Sequence, residues 1–143
     1  MGDRLLSCVL LADRHQGLTE GVRGLLETAF GTVVMVADEA SLLDGADRLR
    51  PDVAVVDLSL AQDSGLGWLR ELRRRCPELK VVALSVHDEQ SVRHAAMQAG
   101  ADAFVLKRAI VTDLLPAVAL VRGGGDADDA SSEGTEYDQA SLG

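Results

Sequence analysis

The chain is expected to fold as an α/β protein, a doubly wound parallel sheet with right-handed crossovers and helices on both faces. Three observations predict this. Short apolar runs alternate with helix-period segments along most of the sequence. The run VAVV at 53–56 has no polar residue in it, as a strand covered on both faces should not. Four of the runs each end in one polar residue: CVLLA in Asp13, VAVV in Asp57, VVAL in Ser85 and FVL in Lys107. The carboxyl ends of parallel strands share one edge, so two carboxylates, a hydroxyl and an ammonium converge there on one small oxyanion or metal site.

The elements follow in order. After the strand CVLLA, Leu18, Val22, Leu25, Leu26 and Ala29 recur on one helix face, and Gly31 is placed to close it. TVVMVA at 32–37 is the second strand. Asp38 is placed to cap a helix carrying Leu42, Leu43, Ala46 and Leu49, which Pro51 stops. VAVV is the third strand, and the polar loop SLAQDSG follows it. Asp63 and Ser64 are expected to cap the next helix, with Leu66, Leu69 and Leu72 inward, Trp68 partly buried, and Arg70, Arg73 and Arg74 on a solvated face.

Pro77 ends that helix and VVAL at 81–84 is the fourth strand. The fourth helix sets Val92, Ala95, Ala96 and Ala99 on one face and stops at Gly100. AFVL at 103–106 is the fifth strand. The last helix should lie within 110–122, where Pro116 removes a backbone donor, so a late start or a kink is expected. Leu114, Leu115, Val118 and Val121 are more apolar residues than one regular helix should turn inward, which suggests a dimer or partner surface.

Composition narrows the function. The chain has 143 residues, one domain by size, with 47% apolar but only 3% aromatic residues, so few rings are available to stack on a base or flavin. Its formal charge of −9 argues against direct binding to nucleic acid or to an anionic membrane. Six acids and no Lys or Arg fall within 123–143; without them the charge is −9 + 6 = −3 for residues 1–122. That glycine- and serine-rich acidic segment reads as a flexible tail or linker. Cys8 and Cys76 form no CxxC pattern, and structural burial is the reading for Cys8. The absence of a signal-like start or a long apolar stretch points to a cytoplasmic protein without a membrane span.

An aspartate at a strand mouth can take a phosphoryl group as an acyl phosphate when a cation, a lysine and a hydroxyl position and neutralise the transferring oxygens. Lys107 and Ser85 supply two of these aids, while Asp13, Asp57 and the Ser59 carbonyl offer oxygen ligands to Mg²⁺. The segments LLADRH, PDVAVVDLSLAQDSG, VVALSVHD and GADAFVLK resemble, in order and spacing, the response-regulator receiver domain of two-component signalling. The resemblance covers residues 5–122. RPDVAVVDLSL and CPELKVVALS look most like the NarL/FixJ-like type.

The resemblance implies a flavodoxin-like (βα)5 sheet with strand order 2-1-3-4-5. It also implies that Asp57 is the phosphoacceptor, that Ser85 is the hydroxyl that turns to the phosphate, and that Lys107 binds that phosphate. Phe104 falls at the aromatic switch, where it can repack but cannot hydrogen-bond as a tyrosine would. The implied partners are a sensor histidine kinase and a homodimer or output partner, the latter through the face of the fourth helix, fifth strand and fifth helix. A switch rather than an enzyme is implied.

Several positions depart from the family pattern. Arg14 stands where a second metal-binding acid is usual, so Mg²⁺ binding is expected to be weakened. Ala61 replaces the usual proline, and Arg108 and Pro116 alter the approach to the last helix. Arg14 either turns inward to pair with Asp13 or Asp57, or points outward; its reach and fork geometry favour the inward reading. His15, His87 and His94 have no metal-cluster spacing, and surface or cap roles are expected for them. The expected function is an atypical receiver with Asp57 an impaired phosphoacceptor. The alternative is a phosphorylation-independent module that binds a small ligand or partner, with a flavodoxin-like enzyme third.

Overall fold

A computed structural model describes residues 7–61 and 65–123, apart from the side chains of 16–19. Strands β1 (Cys8–Ala12), β2 (Thr32–Val36), β3 (Val53–Asp57), β4 (Lys80–Ser85) and β5 (Ala103–Leu106) form one sheet. All neighbours pair in parallel, in the order β2-β1-β3-β4-β5. The connecting helices are α1 (Gln16–Glu27), α2 (Glu39–Leu49), α3 (Gly67–Arg75) and α4 (Gln90–Ala99). A 3-10 turn at Lys107–Ala109 leads into α5 (Ile110–Gly123).

The period-2 alternation of the strands divides the core into two layers. Leu10, Ala12, Ala54, Val56, Val81 and Ala83 face α2, α3 and α4, where Leu42, Ala46, Trp68, Leu69 and Leu72 meet them. Val9, Leu11, Val53, Val55, Val82 and Leu84 face the other way, onto Val22 and Leu26 of α1 and onto Ile110, Leu114, Val118 and Val121 of α5. Every second residue therefore needs an apolar neighbour on one side or the other. This is why the central runs are continuous. The layers are not equally anchored: α4 commits only Ala96 and Ala99 to full burial.

Local signals explain most boundaries. The Asp38 carboxylate accepts the Ser41 N–H at 2.7 Å and caps α2. That bond holds the Asp38 carboxyl below its ordinary range. Arg50 ends α2 in the left-handed region at φ 50°, directly before Pro51. Gly100 ends α4 at φ 126°, and a Cβ there would lie 3.0 Å from Arg73 Cβ, so conformation and space both require glycine.

Some expectations are corrected. Helix α1 ends at Glu27 with Thr28 as its cap, and Gly31 instead donates its N–H to Ser7 Oγ at 3.1 Å. Arg73 is no solvated charge. Its guanidinium donates to the carbonyls of Pro77 (2.9 Å), Leu79 (2.7 Å) and Gly100 (2.7 Å) and to Asp102 Oδ2 (2.8 Å), tying α3 to the start of β4 and the turn before β5. Ala95 is exposed, Trp68 is buried and Cys8 is half-buried, where burial first and Asp52 second push its thiol up.

Helix α5 starts at Ile110 with Pro116 inside it, so there is no late start. Pro116 and Thr112 are both exposed, and the carbonyl that loses its partner can be solvated. Leu114, Val118 and Val121 all turn inward and Leu115 is half-buried; the exposed large apolar side chains of α5 are Val111 and Leu120. The expected Asp63 and Ser64 caps, the side chain of Leu18 and residues 124–143 lie outside the described residues. Among the described residues no helix is long and apolar enough to cross a membrane.

Candidate functional site

Strand register assembles the site. Ala12 pairs with Val56, so Asp13 and Asp57 emerge side by side at the ends of β1 and β3. Asp57 pairs with Leu84 and Ser85 with Leu106, which brings Ser85 and Lys107 to the same edge. The Lys107 Nζ lies 2.9 Å from Asp57 Oδ2 and 3.3 Å from Asp13 Oδ2, with its side chain only 8% exposed. One buried ammonium therefore bridges two buried carboxylates.

Asp57 is held further by Ser59, whose N–H donates to Oδ1 at 3.1 Å and whose hydroxyl donates to Oδ2 at 2.9 Å. Burial is the largest single influence on the Asp57 carboxyl and raises it. Hydrogen bonds from Lys107 and Ser59, with the Lys107 charge, outweigh burial and hold the group below the usual carboxylate range. Asp57 is thus an anion at neutral pH, the form needed for attack on phosphorus.

The remaining sequence-derived residues are placed as follows. Ser85 Oγ accepts the His87 N–H at 2.9 Å and donates to the His87 carbonyl at 3.1 Å, so its hydroxyl is engaged by the loop that follows β4. Phe104 is half-buried under the Arg93 guanidinium, 5.4 Å from its ring centroid. The ion pairs that described residues make with Asp13 and Asp57 come from Lys107 and His15, which corrects the expected pairing of Arg14 with those acids. Arg14 Nη1 points to the Ser59 carbonyl oxygen at 3.4 Å. That carbonyl is the third oxygen ligand expected from the sequence.

His15 was missed. Its Nδ1 lies 3.3 Å from Asp13 Oδ1 and 3.5 Å from Asp57 Oδ2, while its N–H donates to Asp13 Oδ1 at 2.8 Å. Its two-residue offset from Asp13 at a strand end was the available signal, because such a turn folds the chain back over its own carboxylate. Asp13, His15 and Asp57 form a group whose ligand atoms lie within 4.8 Å of one another. Asp13 Oδ2 is buried and accepts no hydrogen bond. The buried, underused carboxylate oxygen fits a divalent cation; the all-oxygen shell preferred by Mg²⁺ is met only in part.

Beside Asp57 and Ser85 lies a cavity of about 440 Å³, walled by Leu58, Ala61, Leu66, Val86, Val92 and Ala95. A larger groove of about 710 Å³ lies at the opposite end of the sheet, lined by residues such as Arg50, Asp52, Cys76 and Lys80. It contains none of the strand-end residues, so the chemistry belongs to the smaller cavity.

Residues 9–119 match the family described as response regulator receiver domain, and the chain belongs to that family. It acts as a receiver domain in two-component signalling. Its relatives are of the NarL/FixJ-like type: it is 38% identical over 112 residues to the nitrate/nitrite response regulator protein NarP of Escherichia coli, covering 77% of this chain and 52% of NarP. It is 31% identical over 119 residues to the transcriptional regulatory protein DegU of Brevibacillus brevis, covering 82% of this chain and 50% of DegU. The chain thus spans about half the length of these relatives. Among solved structures, the NarL receiver domain of Mycobacterium tuberculosis superposes with a TM-score of 0.72 at 27% identity, over 82% of this chain and 97% of that one. A LuxR-family regulator from Aurantimonas sp. SI85-9A1 gives 0.75 at 26% identity, over 82% and 86%.

Proposed function

We propose that the chain is an atypical receiver in which Asp57 accepts the phosphoryl group and activation is impaired at the cation step by Arg14. One observation carries this: Lys107 bridges Asp57 and Asp13 while Arg14 takes the carbonyl that would complete a magnesium shell. An Asp57 oxygen attacks the phosphorus of a phosphohistidine on a sensor kinase or of a small acyl phosphate. The new P–O bond forms as the donor's P–N or P–O bond breaks, and the bonding pair leaves with the imidazole or carboxylate. Asp13 and Asp57 would hold Mg²⁺, which would neutralise charge on the transferring oxygens.

Lys107, 2.9 Å from Asp57 Oδ2, supports this reading as the cation that meets those oxygens. Ser85 gives up His87 and turns its hydroxyl to the phosphoryl group, and Phe104 repacks beneath Arg93. The α4–β5–α5 face then changes. Val111 and Leu120 of α5, 80% and 60% exposed, lie on different sides of that helix, and each offers an apolar contact to a second copy or an output partner. The net charge of −9 supports a role for this segment without direct nucleic-acid contact.

Incubation with acetyl phosphate and Mg²⁺, followed by intact-mass measurement, tests the reading. A single-phosphoryl adduct should form slowly on the native chain, about tenfold faster on Arg14→Asp at limiting Mg²⁺, and not at all on Asp57→Asn. No adduct on either the native chain or Arg14→Asp would sink it. The cavity beside Asp57 supports the second reading, in which that space receives a small ligand without phosphorylation.

A further inference from the structure

The magnesium expectation rests on oxygen donors, yet the third donor assembled here is a nitrogen. Two separations describe the arrangement: His15 Nδ1 is 3.3 Å from Asp13 Oδ1 and 3.5 Å from Asp57 Oδ2. Ligands about 2.0–2.1 Å from a tetrahedral ion are about 3.3–3.4 Å apart, so these spacings match the edges of such a shell. The Asp13 side chain is fully buried, and its Oδ2 accepts no hydrogen bond, with Lys107 Nζ 3.3 Å away. The N–H of His15 on Asp13 Oδ1, at 2.8 Å, fixes the imidazole's loop over the carboxylates.

We propose that this cluster binds a borderline transition-metal ion, of the Mn²⁺, Co²⁺ or Zn²⁺ class, in preference to Mg²⁺, with His15 Nδ1 as the third protein ligand beside Asp13 and Asp57. The inference rests on reading the strand-end acids as a cation site and does not require Asp57 to be phosphorylated. Charge and softness act separately here. Lys107 and Arg14 repel every divalent cation in proportion to its charge, so they lower all the affinities together. An imidazole nitrogen adds affinity only for ions that accept it, which Mn²⁺, Co²⁺ and Zn²⁺ do and Mg²⁺ does poorly. Loss of the second acid therefore costs Mg²⁺ a ligand that His15 returns only to the transition metals.

The test uses the full, unphosphorylated chain without any phosphodonor. Co²⁺ binding is followed by visible absorption, Mn²⁺ by loss of its free-ion EPR signal, and Mg²⁺ by competition against Mn²⁺. The native chain should bind Co²⁺ and Mn²⁺ at least about tenfold more tightly than Mg²⁺. His15→Ala should lose about tenfold for Co²⁺ with a changed absorption band, and leave Mg²⁺ within about twofold. The His15 side chain is 55% exposed, so its removal leaves the core filled, and an unchanged melting temperature confirms this. Equal losses for Co²⁺ and Mg²⁺, an unchanged Co²⁺ spectrum in His15→Ala, or a Co²⁺ signal that disappears with Cys76→Ser instead would each overturn the proposal. Failure of the phosphodonor experiment would leave these titrations unaffected, so the two ideas fail separately.

Discussion

Replacing Lys107 by Met tests how two buried carboxylates coexist at the sheet edge. The ammonium stands 2.9 Å and 3.3 Å from their oxygens, and at an effective dielectric constant of about 20 each contact is worth about 5 kcal/mol before desolvation. Desolvating the ammonium offsets several kcal/mol of that, and methionine keeps the packing of the stem, which leaves a net loss of about 3 kcal/mol at pH 7. For a chain of this size that is a fall of about 10 °C in melting temperature.

The pH dependence has a definite sign. The native Asp57 carboxyl lies below its unfolded value, so its stabilisation is fully present above about pH 4 and is lost as pH falls through the folded pKa. Without Lys107, burial dominates and the same carboxyl moves upward. The gap between native protein and Lys107→Met should therefore narrow from pH 7 to pH 4. Asp57→Asn in the same background should recover about half the loss. Urea denaturation of the four proteins at both pH values gives the full cycle. A Lys107→Met cost under about 1 kcal/mol at pH 7, or a gap that widens in acid, would refute the reasoning.

Two further predictions concern the scaffold. Arg73→Ala should destabilise by about 2–3 kcal/mol, measured by urea denaturation, because three carbonyls and Asp102 lose a charged donor together; Arg73→Lys should recover only a minor part, lacking the planar fork. Asp38→Ala should lower the melting temperature by about 2–4 °C at pH 7 through loss of the α2 cap. Its effect should shrink in acid below the depressed Asp38 pKa, where the native carboxyl is also protonated.

The parts of the fold legible in the sequence were those governed by local rules. Continuous apolar runs marked strands buried on both faces, Asp38 and Gly100 announced helix ends, and the family resemblance supplied the strand order. At the site, Asp13, Asp57, Ser85 and Lys107 were readable because each ends a strand, and strand ends share an edge. What escaped depended on the direction of flexible side chains. Arg14 had the reach for either carboxylate, but the Ser59 carbonyl lay within range too. His15 looked ordinary because its partners include Asp57, distant in sequence. Arg73 sat in a run of arginines, and nothing local marked it as the one that meets carbonyls from the neighbouring loops. For α5 the spacing was legible, since Leu114, Val118 and Val121 share the inward face and Leu115 does not; the exposed Val111 and Leu120 were not singled out.

The thin footing of α4 has an energetic consequence. Each buried methyl of Ala96 and Ala99 is worth about 0.8 kcal/mol, so lifting that part of the helix from the sheet forfeits about 1.5 kcal/mol. That is close to the net value of a single charge-assisted hydrogen bond. On the proposed reading, an event at the strand ends worth about one such bond would be enough to release that part of α4. Among the described residues, α4 is the helix that turns the smallest side chains to full burial.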